Sequence, residues 1–157
     1  MGRKASTKNR KDNPIKKQKW IKELYPYLRD KGVRELRMDA IAKYLGKSKS
    51  TVYEYFASKE EIIIGVIALK LEALLGFEAI LMNPNDSLSH RYQNMMAHII
   101  PIISDISQLL LADIKEYYPE LWQKIDDFYT YAGEILLKFY QEGMEDGTFL
   151  QVNPLIL

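Results

Sequence analysis

Apolar residues in this chain recur three and four positions apart over most of its length, the spacing of a single helix face. Residues 15–31 place Trp20, Ile21, Leu24 and Leu28 on one side and end at Gly32, with Pro26 predicting a kink or a shorter helix. Met38, Ile41, Ala42 and Leu45 mark a second, short helix that Gly46 stops. A third, over 49–56, has only Val52 and Phe56 as a purely apolar i, i+4 pair, and Ser48 stands where a hydroxyl can accept a free N–H at its start. Residues 58–61 read as a capping box that opens a long, very apolar helix reaching about Met82. Residues 83–86, Asn-Pro-Asn-Asp, break the chain. Helices follow from about Ser87 past Met95, Met96, Ile99 and Ile102, with Pro101 expected to bend or end it, and over 105–117. The last covers 119–146, with Pro119 in its first turn and Gly147 as its stop. In it Leu121, Ile125, Phe128, Ala132, Ile135 and Phe139 form one stripe, and Trp122, Tyr129, Leu136 and Tyr140 a second beside it. Adjoining stripes imply a wide buried face, and no strand pattern or repeat interrupts the all-α reading.

The second and third helices carry the most specific chemistry. A short helix held behind a glycine turn is a common device for presenting side chains to the DNA major groove. Around Val52 and Phe56 the third helix leaves Lys49, Ser50, Thr51, Tyr53 and Tyr55 to project polar atoms. A solvated surface helix seldom sets so many hydroxyls beside one lysine.

Charge changes the picture further. The whole chain is nearly neutral at +1, yet residues 1–59 hold 17 Lys/Arg against 6 Asp/Glu, a net +11, and residues 60–157 hold 5 against 15, a net −10. Phosphate affinity follows local Lys/Arg density, and that density surrounds the helix pair. The arm over residues 1–14 adds Arg3, Lys4, Lys8, Arg10 and Lys11 and is expected to be disordered, with Asn13-Pro14 at its end.

Composition excludes more than it adds. With 47% hydrophobic and 27% charged residues the chain is globular. It has no cysteine, so disulfides, thiolate catalysis and the usual structural zinc sites drop out, and a cytoplasmic location is expected. The charged N-terminus shows no signal peptide, and the longest charge-free apolar runs are too short to span a bilayer, so no membrane partner is expected. His90 and His98 are the only histidines, and no glycine-rich phosphate loop or nucleophile elbow is present. No enzyme activity, cofactor or metal is expected. His98, on an apolar helix, reads first as a packed core residue.

Ile41-Ala42-Lys43-Tyr44-Leu45-Gly46, then 48–56 and Ser58-Lys59-Glu60-Glu61-Ile62, resemble the TetR (tetracycline-repressor-like) transcriptional regulators, most specifically across about residues 20–67. Tyr118-Pro119-Glu120-Leu121-Trp122 and Glu142-Gly143 with Gly147-Thr148-Phe149 echo the family's ligand-binding domain more weakly. The resemblance implies a three-helix helix-turn-helix head joined to a helical ligand-binding and dimerisation domain. On that basis residues 1–14 are the arm, 15–58 the DNA-binding domain and 59–157 the regulatory domain. It also implies a homodimer, a double-stranded DNA operator and a small apolar or aromatic effector that releases the repressor. The competing reading is a helical interaction module that keeps the head but acts through protein contacts.

Carried over residue by residue, the resemblance assigns DNA contact to Arg37, Ser48, Lys49, Ser50, Thr51, Tyr53, Tyr55 and Lys59. The Thr51 and Tyr53 hydroxyls would bond phosphate, Lys49 and Ser50 would reach base edges, and Lys59 would clamp a phosphate at the start of the long helix. Met95, Met96, His98, Tyr117, Trp122, Phe128 and Tyr129 are the ligand-pocket candidates, apolar and adaptable in type. Three departures from the pattern stand out. Arg37 replaces a capping Thr, Lys47 replaces a small apolar residue after the turn, and Leu157 falls where family members continue into two long interface helices. That last departure predicts weak or substitute dimerisation, with Leu136, Phe139 and Tyr140 partly exposed.

Overall fold

The computed structural model describes residues 13–153 as seven helices, with no strand among the described residues. In order they are α1 (Pro14–Lys31), α2 (Met38–Tyr44), α3 (Lys49–Tyr53), α4 (Lys59–Leu81), α5 (Leu88–Ser104), α6 (Gln108–Tyr117) and α7 (Pro119–Glu145). The basic side chains of residues 3–11 lie outside the described residues. The described residues pack as two units: one holds residues 13–68 together with Ser107–Tyr117, the other Leu69–Ile106 with residues 118–153. These bounds differ from the expected functional boundary at residue 58, since the first turns of α4 and all of α6 pack with the head.

In the first unit α1 opens on Asn13, whose Oδ1 accepts the Lys16 amide at 2.9 Å, while Pro14 fills the first helical position, where a missing N–H costs nothing. Asn13-Pro14 therefore starts a helix rather than merely closing an arm. α1 continues through Pro26 to Lys31; the proline is on the exposed side, where water can serve the one carbonyl that loses its partner. Trp20, Leu24, Leu28, Ile41, Val52, Phe56, Ile62 and Val66 are buried, each completely or nearly so. The loop after α1 is held from α6. Oδ2 of the buried Asp113 accepts the Val33 amide at 2.7 Å and the Arg34 amide at 3.0 Å. Gly32 (φ 69°) brings the backbone against that carboxylate, and a Cβ there would overlap Oδ2 and sit 3.2 Å from Cγ.

In the second unit Phe77, Leu81, Leu88, Met95, Ile135 and Phe139 form the core. Asn83 and Asp86 close the α4–α5 break on themselves, and Ser87 Oγ accepts the His90 amide to start α5. α5 contains Pro101 and runs on to Ser104, with Asp105 as its cap. Asp105 is thus not the start of the next helix: its carboxylate takes Lys70 Nζ at 2.6 Å. α6 begins at Gln108 instead, in the first unit, with the Leu110 amide bonded to Ser107 Oγ. Arg91 donates to the Leu81 carbonyl at 2.9 Å and to Glu142 at 3.1 Å, with its guanidinium 5.8 Å from the Phe139 ring centre.

The expected exposure of Phe139 does not occur. It is 3% exposed, because the chain after Gly147 turns back and sets Phe149 against Phe139 and Tyr140, with ring centres 5.6 and 6.0 Å apart. Leu136 and Tyr140 are partly buried against the same core.

Candidate nucleic-acid interface

α2 has no side-chain cap, as Arg37 in that position predicts, and its end is a glycine turn. Gly46 adopts φ 63°, its amide reaches the Lys43 carbonyl at 3.1 Å, and the Lys47 amide reaches Ala42 at 2.9 Å. This pair of bonds closes the helix only if residue 46 is left-handed, which is the reason for glycine there. Ser48 then starts α3: its Oγ accepts the Thr51 amide at 3.1 Å and lies 2.9 Å from Ser50 Oγ and 2.7 Å from Thr51 Oγ1. α3 has five residues, shorter than the 49–56 expected from the pattern. A helix of that length has no stability alone, so Val52 and Phe56, both buried, hold it.

The structure separates the eight sequence-derived contact residues by exposure. Arg37, Ser48, Lys49, Ser50 and Tyr53 are exposed, and Thr51 and Lys59 are half-buried. Tyr55 is corrected to a packing residue. It is 5% exposed, its ring meets Trp20 edge-on at 4.9 Å, and its hydroxyl accepts Lys16 Nζ at 3.1 Å. Tyr44 is exposed and lies against Tyr27, ring centres 4.9 Å apart. The capping box at 58–61 is also modified: Glu61 turns back to the Ala57 amide at 2.6 Å and takes Lys17 Nζ at 2.9 Å. The Glu60 carboxyl is held below the ordinary glutamate range, first by a hydrogen bond with Ser58.

Two features were not read from the sequence. Asn13, Ile15, Lys16, Lys19, Trp20 and Lys47 line one cleft, to which both the α1 start and the α2–α3 turn contribute lysines. Lys16 is fixed there with its Nζ 5.1 Å from the Trp20 ring centre and 4.7 Å from that of Tyr55. The second is Asp39, whose carboxylate meets Lys49 Nζ at 3.0 Å and, by that hydrogen bond first and by its charge second, raises the Lys49 pKa. An acid in the first turn of one helix and a lysine at the start of the next were the only signal.

Residues 27–66, which span the glycine turn, α3 and the start of α4, match the family model of bacterial regulatory proteins, tetR family. Over those residues the chain has the DNA-binding head of TetR-family transcriptional regulators. It is 23% identical over 135 residues to an uncharacterized HTH-type transcriptional regulator, YvaF, of Bacillus subtilis (strain 168), across 85% of this chain and 70% of that protein. A solved TetR/AcrR-family regulator from Thermobifida fusca YX-ER1 matches with TM-score 0.63 and 27% identity, over 90% of this chain and 77% of its own. The TetR-family regulator PfmR from Thermus thermophilus matches with TM-score 0.65 and 26% identity, over 86% and 75%. These relatives are transcriptional regulators, not enzymes. Among the described residues no group of three His, Cys, Asp or Glu could hold a metal, and no single helix is long and apolar enough to cross a membrane.

Of the seven ligand-pocket candidates, Met95, Met96 and Phe128 share one cluster of the second unit, and Tyr117 belongs to the head unit. There Tyr117 is 38% exposed, near Arg34. In the other unit Met95 is buried in the core, Phe128 stands edge-on to Phe77 at 6.4 Å, and Tyr129 is 52% exposed. Met96 and Trp122 are half-buried, and His98 Nε2 lies 3.0 Å from the Ala73 carbonyl, beside Gly76. An apolar cleft of the same unit is lined by other residues, among them Tyr92, Tyr140, Met144 and Phe149.

Proposed function

We propose that this protein is a cytoplasmic TetR-family repressor that binds a DNA operator as a homodimer and leaves it when a small apolar or aromatic molecule occupies its regulatory domain. Residues 15–58 form the DNA-binding domain and 59–157 the regulatory domain in this reading. The observation that carries it is the Ser48-capped α3, which presents Lys49, Ser50 and Tyr53 to solvent from a buried Val52 and Phe56. Tyr53, Thr51, Arg37 and Lys59 contact phosphates, and Lys49 and Ser50 reach base edges. Support for an apolar effector is compositional: Met96 and Phe128 supply soft and aromatic surface beside the core of the second unit, and the half-buried Trp122 belongs to the same unit.

Selection of duplexes from a random pool, followed by shift assays on the recovered site, tests this. Tyr53→Phe should weaken all sequences about equally, because phosphate carries no sequence information. Lys49→Ala should flatten preference at one base pair by about 1–3 kcal/mol. Variants that bind the selected site as the parent does would refute the assignment of α3.

A further inference from the structure

We propose that Asp39 and Lys49 act as one reading unit, in which Asp39 determines sequence specificity by aiming the Lys49 ammonium and by accepting a cytosine amino group beside the guanine that Lys49 reads. The inference rests on the DNA-binding reading above and deepens it. Lys49 is the only Lys or Arg in α3, and it stands at the leading end of that helix. Its Nζ is 3.0 Å from Asp39 Oδ2, and the two side chains are 50% and 70% exposed. An exposed ion pair of this kind adds little to stability. It has a definite effect on binding, however, because it neutralises the one lysine of α3 before DNA arrives.

Three consequences follow from a carboxylate fixed at that place. A lysine on a flexible four-carbon stem would otherwise pair with whichever phosphate is nearest, which adds affinity without selectivity. Asp39 competes for that ammonium and repels the phosphate, so non-specific binding is weakened. The bond also restricts the direction of Lys49, leaving two of its three donors for the O6 and N7 of a guanine. Asp39 has lone pairs to spare. Of the two amino donors in the major groove, adenine N6 stands beside the N7 acceptor of its own base, which repels a carboxylate, so cytosine N4 is the better partner. A carboxylate and an ammonium in contact therefore match a guanine and a cytosine on adjacent positions of the groove.

The test uses the full chain and the operator recovered from a random pool, with Asp39→Asn, Asp39→Ala, Lys49→Ala and the double alanine variant. Asp39→Asn keeps the shape, and circular dichroism confirms that each variant is folded. The parent's selected half-site should contain a guanine next to a cytosine. Asp39→Ala should bind unrelated duplex several-fold more tightly, with log affinity falling more steeply against log salt by about 0.9 as Lys49 gains a phosphate. Its preference for the guanine and for the cytosine should each fall by about ten-fold, and removing Lys49 as well should cost little further discrimination. A role in holding α2 alone would lower affinity for every sequence and leave base preference unchanged. If both Asp39 variants keep the parent's base preference and salt slope, the proposal is wrong while the DNA-binding reading stands. If the parent shows no salt-dependent duplex binding, both fall.

Discussion

Gly143 offers a substitution in which helix propensity and packing predict opposite signs. It lies in the last turns of α7, where alanine is ordinarily better than glycine by about 0.5–1 kcal/mol. A Cβ at that position, however, would overlap Cδ2 and Cε2 of Phe149 and stand 2.8 Å from its Cγ. The ring cannot simply swing away. Its own amide donates to the Gly143 carbonyl at 2.8 Å, and the ring is wedged among Tyr92, Phe139 and Tyr140. Overpacking of this kind costs about 1–3 kcal/mol. Gly143→Ala should therefore destabilise the second unit by about 0.5–2 kcal/mol net of propensity, lowering its melting temperature by a few degrees. Gly133, in the same helix with nothing within 4 Å of a Cβ, is the control: Gly133→Ala should stabilise by about 0.5–1 kcal/mol. Phe149→Ala alone should be destabilising, but adding Gly143→Ala to it should then stabilise, since the overlap is gone. Urea unfolding followed by circular dichroism and by tyrosine fluorescence measures all four. A Gly143→Ala protein more stable than the parent, or one whose effect keeps its sign when Phe149 is removed, would refute the packing argument.

The other expectations are shorter. Asp113→Ala leaves the Val33 and Arg34 amides without their acceptor, one of them buried, and should cost about 1–3 kcal/mol in urea unfolding, with Asp113→Asn recovering part. Gly32→Ala should be at least as damaging, because it combines φ 69° with an overlap on the same carboxylate; a neutral result would mean the α1–α2 loop is free to move. Glu60 titrates below its ordinary value when folded, so it contributes stability that is present above the unfolded glutamate pKa and fades as pH falls through the lower folded one. Ser58→Ala removes the main cause and should flatten the loss of stability between about pH 5 and pH 3; an unchanged acid profile would count against the Ser58–Glu60 bond.

Helix existence was legible because it depends on short-range spacing. The stripe over Trp20, Leu24 and Leu28, the Gly46 stop and the Ser48 cap each depend on residues within about two turns, and each is found in place. What the pattern could not supply was contact between residues far apart in sequence. Tyr55 looked like a projecting hydroxyl because nothing local shows that Trp20 and Lys16, 35 and 39 residues earlier, enclose it. The start of α6 was placed three residues early: Asp105 caps the end of α5 instead, and its carboxylate takes Lys70. Phe139 was expected on a bare face because the resemblance assigns its cover to two further helices; Phe149 covers it instead, through a turn at Gly147 and the space left by Gly143, neither of which is a periodicity. The pocket candidates were chosen by type, and residue type alone does not say that Tyr117 and Phe128 fall in different packed units.

The head shows how much of a small recognition element is decided by residues that do not face solvent. α3 gains only a few backbone bonds from its five residues, so its position depends on what lies behind it. Val52 and Phe56, each at 1% exposure or less, contribute on the order of 1.5–3 kcal/mol apiece by burial, more than the cap hydroxyl of Ser48, at about 1 kcal/mol, can supply. Trp20 meets both Tyr55 and Phe56, so α1 sets the exit of α3 as the glycine turn sets its entry. Asp113 fixes the loop by which α1 reaches α2, and through it the start of the helix that carries Asp39. A displacement at any of these supports moves Lys49 and Tyr53 together. Substitutions behind α3 should therefore weaken every duplex at once, whereas substitutions at Asp39 or Lys49 should change which duplex is preferred.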